Sequence, residues 1–124
     1  VQLSGTHTAE LRLGNAGSVF KLADGTVING KVNQTAVVGG ALAAGAITLD
    51  GSATITGDIG NGGGAAALQG ITLANDATKT LTLGGANIIG AGGGTINFQA
   101  NGGTIKLTST QNNIVVDFDL AINT

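Results

Sequence analysis

Short pairs of apolar residues separated by one residue recur along the whole chain, and the strand centres Ile88, Ile96, Ile105 and Ile114 follow one another at roughly 8 to 10 residues. The pairs are Leu11 and Leu13, Phe20 and Leu22, Ile47 and Leu49, Ile71 and Leu73, Leu81 and Leu83, Ile96 and Phe98, and Ile105 and Leu107. Each pair places two apolar side chains on one face of an extended segment, which is the pattern of a β-strand. Only residues 41–44 and 65–68 could form a helical turn. The chain is therefore predicted to be all-β, with short strands.

A second, longer period lies above the strand spacing. The triplet Ile47-Thr48-Leu49 returns as Ile71-Thr72-Leu73 after roughly 24 residues, which is the repeat expected for three short strands per turn of a solenoid. The chain has 23 glycines and no proline, a composition that favours many tight corners. We predict a right-handed parallel β-helix formed by residues 1–124 as a single segment, with some five coils stacked about 4.8 Å apart.

An antiparallel β-sandwich is the alternative fold. The stretch from Thr95 to Leu107 also resembles a hairpin closed by an Asn101-Gly102 turn. The sandwich is less favoured because the strands are uniformly short and the only aromatic residues are Phe20, Phe98 and Phe118. The last segment, from Ile114 to Ile122, predicts one longer strand with an apolar face.

Charge and cysteine content exclude several classes of function. Charged residues make up 10% of the chain and the formal net charge is −2, which gives no field able to hold nucleic acid or an anionic membrane. The chain has no cysteine, so disulfides and thiolate metal sites are excluded. The sequence contains neither a signal peptide pattern nor a long apolar span. We expect a segment that lacks its own signal peptide, its own translocator barrel and direct membrane insertion.

Two glycine-rich patterns raise the question of a cofactor or a metal. Residues Gly60 to Ala65 match the dinucleotide pattern G-x-G-x-x-A, but the helix that the pattern requires is missing, so we interpret them as a corner loop. Repeat solenoids can bind calcium through a nonapeptide with an aspartate at a fixed place. No aspartate stands there after Gly62-Gly63-Gly64 or Gly92-Gly93-Gly94. We predict no cofactor and no metal.

Asp117 and Asp119 are the best candidates for enzymatic chemistry. They lie two residues apart on one strand face, about 6 to 7 Å along the chain, close to the carboxylate separation of inverting glycosidases. Solvation of an outer strand face is the simpler interpretation. His7, the sole histidine, lies near Ser4 and Glu10, but we interpret it as an ordinary polar residue rather than a member of a triad. No catalytic residue is predicted.

The outward positions of the predicted strands are rich in threonine. The threonines expected to point outward are Thr48, Thr54, Thr56, Thr72, Thr82 and Thr108. Between buried aliphatic residues they would form a hydrated wall of low charge. Such a smooth wall favours a contact surface, whereas a groove with exposed aromatic residues would favour a sugar-processing enzyme.

Two stretches of the sequence closely resemble a known family. Residues Gly84 to Ile122 resemble the passenger region of the rickettsial outer membrane protein B family, and Ala46 to Ile59 are similar to the same family. The resemblance implies an autotransporter of the surface cell antigen group. Its passenger is exported through the periplasm and a C-terminal β-barrel to the extracellular face of the bacterial outer membrane. There it forms a surface layer with roles in adhesion to and invasion of host cells. The family supplies no catalytic or metal residue.

We therefore expect a structural and adhesive segment of a surface passenger, and not an enzyme. The alternative function is a polysaccharide-active β-helix that uses Asp117 and Asp119. Expected partners are neighbouring passenger coils and a host cell-surface protein. Neither end of the chain has the pattern of a cap, so we also expect end-to-end self-association, with the apolar C-terminal edge as the stickier one.

Overall fold

The computed structural model describes residues 1–13, 18–34, 45–60, 68–110, 113–115 and 117–119. These residues form strands and turns, with no helix among them. The strands are β1 (Gln2–Leu3), β2 (Thr6–His7), β3 (Leu11–Leu13), β4 (Val19–Leu22), β5 (Thr26–Ile28), β6 (Val32–Gln34), β7 (Ala46–Leu49), β8 (Ala53–Ile55), β9 (Leu68–Thr72), β10 (Thr80–Leu83), β11 (Asn87–Asn97), β12 (Thr104–Leu107), β13 (Asn113–Val115) and β14 (Asp117–Asp119). The all-β prediction is confirmed, and its two helical-turn candidates lie, except for Leu68, outside the described residues.

The strands line up in three faces that alternate along the chain. The first face contains β1, β4, β7, β9, the end of β11, and β14. The second contains β2, β5, β8, β10 and β12. The third contains β3, β6, the start of β11, and β13, with Ile59 bridging Val32 and Ile88. All these pairings are parallel, as a parallel β-helix requires. Right-handed winding stays a prediction.

Aliphatic side chains stack in columns inside the coils. On the second face, His7 pairs in register with Ile28, Ile28 with Ile55, Ile55 with Leu83, and Leu83 with Leu107. The three middle members are no more than 1% exposed. Period-two alternation therefore places the side chains of Ile28, Ile55 and Leu83 in a core that is continuous across their three coils.

In the described part of the chain, one polar residue, Thr26, is buried in this core, and its exposed fraction is 0%. Its Oγ1 donates to the carbonyl of Ala23, at 2.7 Å, and lies 3.1 Å from the carbonyl of Leu3 in the preceding coil. These acceptors satisfy the hydroxyl, so its burial does not leave an unpaired polar group. Sequence periodicity gives no indication of this role.

The alternative hairpin between Thr95 and Leu107 does not form. β12 pairs with β10 in parallel, and the end of β11 pairs with β9 and β14. After β11 the chain turns through Gln99, which has a φ of 54°, and enters the second face instead of folding back on itself. Since all pairings among the described strands are parallel, the antiparallel sandwich is excluded for this part of the chain.

The last segment also differs from the prediction of one long strand. β13 pairs with the start of β11 on the third face, whereas β14 pairs with its end on the first face. The chain therefore passes from one face to the next within the stretch that the alternation marks as continuous. Alternating apolar residues cannot reveal such a corner, because the inward positions on both faces have the same parity.

Three glycines stack at the corner between the second and third faces, one in each successive coil. This glycine ladder consists of Gly30, Gly57 and Gly85. A Cβ added to any of them would lie less than 3.0 Å from backbone atoms of the preceding coil, in particular the carbonyl oxygens of Ala9, Gly30 and Gly57, respectively. The ladder lets the backbones of adjacent coils approach each other directly.

Candidate functional site

The outer surface of the second face carries a row of hydroxyl groups, which we call the threonine face. It consists of the outward residues Thr6, Val27, Ser52, Thr54, Thr80, Thr82, Thr104 and Lys106. Thr54 and Thr82 are half-buried and adjacent in register, and each follows an inward residue that is at most 4% exposed. The outward threonines expected from the sequence are half-buried or exposed here and on the first face, which confirms that prediction.

A shallow depression lies in the middle of the threonine face. Its volume is about 130 Å³. The lining residues are Gly25, Thr26, Ser52, Ala53, Thr54, Thr80 and Thr82. None of the lining residues carries an ionisable side chain, so this surface offers only hydroxyls, methyls and peptide groups.

One side of the depression is fixed by hydrogen bonds between coils. The N–H of Thr80 donates to Oγ of Ser52, at 3.0 Å, and the N–H of Ser52 donates to Oδ1 of Asp24, at 2.6 Å. Each side chain therefore holds the backbone of the next coil. Similar bonds occur elsewhere in the described residues, since Asp58 accepts both the N–H and the side-chain amide of Asn87.

Charges concentrate at the corner between the first and second faces. Lys21 pairs with Asp50, at 3.1 Å, and Lys79 pairs with Asp24, at 3.3 Å. The pKa of the Asp24 carboxyl is lowered, first by the N–H of Ser52 and then by Lys79. These exposed pairs contribute little stability, because water screens them. Within each pair the two opposite charges offset each other.

Asp117 and Asp119 lie on β14, at the register positions of Thr95 and Asn97. Their side chains lie outside the described residues, so the structure does not test a carboxylate pair. The aromatic residues whose side chains it describes, Phe20 and Phe98, are partly buried and pack against the core. They offer no exposed aromatic platform for a sugar.

His7 does not belong to a catalytic triad. Its Nε2 lies 2.9 Å from the carbonyl oxygen of Ser4, a main-chain acceptor rather than a hydroxyl nucleophile. Glu10 is engaged elsewhere, by Arg12 at 3.0 Å and by the side-chain amide of Asn33 at 2.7 Å. The first of these bonds is the main reason that the pKa of Glu10 is lowered.

Within the described ranges, no group of three or more histidine, cysteine, aspartate or glutamate residues is placed to hold a metal ion. The dinucleotide-like pattern from Gly60 to Ala65 lies, after Gly60, outside those ranges. No helix in the described part of the chain is long and apolar enough to cross a membrane.

Comparison with known proteins gives one consistent match. The family model "Rickettsia outer membrane protein B, passenger domain" matches residues 1–124. The chain is 95% identical over 124 residues to outer membrane protein B of Rickettsia conorii, and 93% identical over 124 residues to that of Rickettsia japonica. It is 76% identical over 126 residues to that of Rickettsia prowazekii. Each match covers 100% of the chain but only 8% of the relative. No solved structure matches the chain.

Proposed function

Because the chain belongs to the Rickettsia outer membrane protein B passenger-domain family, we propose that it forms one stretch of a surface-exposed autotransporter passenger. Its place is the extracellular face of the outer membrane, reached by export through the periplasm. The family match over residues 1–124 carries this proposal. The stacked coils supply a rigid scaffold, and the threonine face supplies a hydrated surface on it.

We further propose that this surface contributes to attachment to and invasion of host cells. The support is the outer surface of the second face, where half-buried hydroxyl-bearing residues such as Thr54 and Thr82 occupy outward positions. The remaining partners of the segment are neighbouring coils. Leu107 is 43% exposed on β12, the outermost strand of the second face among those described. An adjoining coil, or a second copy of an isolated segment, would cover it.

Adhesion is tested with the purified segment on polystyrene beads, after far-UV circular dichroism has shown a β-rich fold. We expect coated beads to attach to cultured endothelial cells more often than albumin-coated beads, and soluble segment to compete with them. Antibodies against the segment should label intact bacteria without permeabilisation. Bead attachment equal to that of albumin, with a folded segment, would show that adhesion depends on other parts of the passenger.

The segment is proposed not to be an enzyme, and the pair Asp117 and Asp119 provides the test. We expect the double variant Asp117→Asn/Asp119→Asn to leave bead attachment unchanged, because these residues occupy register positions equivalent to the polar Thr95 and Asn97. Reducing-end assays on bacterial and host polysaccharides should detect no hydrolysis by either protein. Hydrolysis by the parent that disappears in the double variant would support the polysaccharide-active alternative.

A further inference from the structure

We propose that the depression on the threonine face is a binding subsite for one ring of a neutral saccharide. This inference rests on the adhesive function proposed above and names a ligand chemistry for it. Four observations support it. They are the depression itself, the hydrogen bonding of the hydroxyl groups on its rim, the absence of ionisable side chains in its lining, and the fact that β8 and β10 are paired on both sides.

The rim hydroxyls are available to a ligand. The structure shows no hydrogen bond from the side chains of Thr54, Thr80 or Thr82 to any other described residue. The Oγ of Ser52 accepts the N–H of Thr80, so its own hydrogen is directed elsewhere. A hydroxyl both donates and accepts, which matches the hydroxyls of a sugar. These four groups are half-buried, so their side chains lose little freedom when a ligand binds.

The spacing of these groups fits a single sugar ring. Ser52 and Thr54 lie on one coil, and Thr80 and Thr82 lie on the next. Adjacent coils are separated by about 4.8 Å, and alternate residues of a strand by about 6 to 7 Å. The hydroxyls therefore stand near the corners of a small rectangle around the depression, while the threonine methyl groups offer apolar contacts to the carbon atoms of the ring.

Other classes of ligand fit the depression less well. An extended peptide binds by adding a strand to a free edge, but β8 and β10 each have a paired strand on both sides. An anionic ligand needs a cation, but Lys79, at the adjacent corner, is paired with Asp24, and Lys106, in register beside Thr82, is exposed and does not line the depression. A metal ion needs carboxylate or imidazole ligands, which the lining lacks. A neutral polyol uses only what the site offers.

The test is a titration of the ¹⁵N-labelled segment with chitotetraose, cellotetraose and maltotetraose, followed by amide chemical shifts. We expect at least one of these neutral tetrasaccharides to shift the amides of coils that border the depression. The double variant Thr54→Val/Thr82→Val keeps the β-branched shape and removes two hydroxyls. It should weaken binding about ten-fold or more, because two hydrogen bonds to the saccharide are lost.

The matched control is Thr48→Val/Thr72→Val, which removes two half-buried outward hydroxyls from the first face. It should bind the saccharide like the parent. The inference is overturned if no neutral tetrasaccharide shifts these amides, if both double variants lose affinity equally, or if only a heparin tetrasaccharide binds. Beads that adhere to cells although no saccharide binds would refute this subsite and leave the adhesive function standing. Saccharide binding without bead adhesion would support this subsite and contradict the adhesive function.

Discussion

Replacement of Gly57 by alanine is expected to destabilise the segment by about 1–3 kcal/mol. The new Cβ would lie less than 3.0 Å from the carbonyl of Gly30 and from the backbone nitrogen of Lys31 in the preceding coil. Both obstacles are backbone atoms, so no side-chain rotation relieves the overlap. The coils would have to separate locally, and that separation would weaken the bond from the N–H of Gly57 to the carbonyl of Gly30, which measures 3.2 Å.

The control for Gly57→Ala is a substitution at Ser109, at the same corner between the second and third faces. Ser109 follows Gly85 in the next coil and already carries a side chain, whose Oγ donates to the carbonyl of Gly85 at 3.0 Å. Ser109→Ala should therefore cost no more than about 1 kcal/mol. Urea unfolding followed by circular dichroism measures both variants. Equal and small losses for the two would show that the coils can spread at this corner without cost.

The glycine ladder shows what the sequence could and could not reveal. A high glycine content predicts corners, and that prediction is confirmed. Positive φ explains Gly5, Gly25 and Gly60, but the structure records no positive φ at Gly30 or Gly57. These two glycines are required by contact between coils that are far apart in sequence. Only the register between coils identifies such a contact, and local composition does not contain it.

The faces and the core follow from period-two alternation, because inward and outward positions differ in polarity in almost every strand. The positions of the corners are predicted less well by this alternation. Between the third-face strands or bridges and the following first-face strands, the sequence has residues 14–18, 35–45, 60–67 and 116, whereas β11 itself passes from one face to the other. Because this connection changes length from coil to coil, the repeat is irregular. Because only residue 116 separates β13 from β14, the alternation of apolar residues predicted a single strand there.

The sequence predicted one part of the candidate site and not the other. The outward threonines were predicted from alternation alone, since Thr54 and Thr82 each stand between apolar residues. The depression was not predicted, because it is lined by residues of successive coils, and only the register between coils brings those residues together. His7 was interpreted from the sequence as an ordinary polar residue, and its Nε2 lies 2.9 Å from the main-chain carbonyl oxygen of Ser4.

The second large effect is expected at the centre of the core. Ile55 is fully buried and stacks between Ile28 of the preceding coil and Leu83 of the following one. Ile55→Ala should lower the free energy of unfolding by about 2–5 kcal/mol, through lost burial and through the cavity that remains. A solenoid depends on contacts between neighbouring coils, so this one change weakens two interfaces.

The matched control for this loss is Val27→Ala, which shortens an outward, half-buried aliphatic residue next to Ile28 on the same face. It should cost less than about 1 kcal/mol, because solvent already reaches the side chain. Urea unfolding should show a lower midpoint for Ile55→Ala with little change in slope, as expected when stability changes and the exposed surface does not. If both variants unfolded at the same midpoint, Ile55 would not lie in a shared core, and the stacked columns would have to be assigned differently.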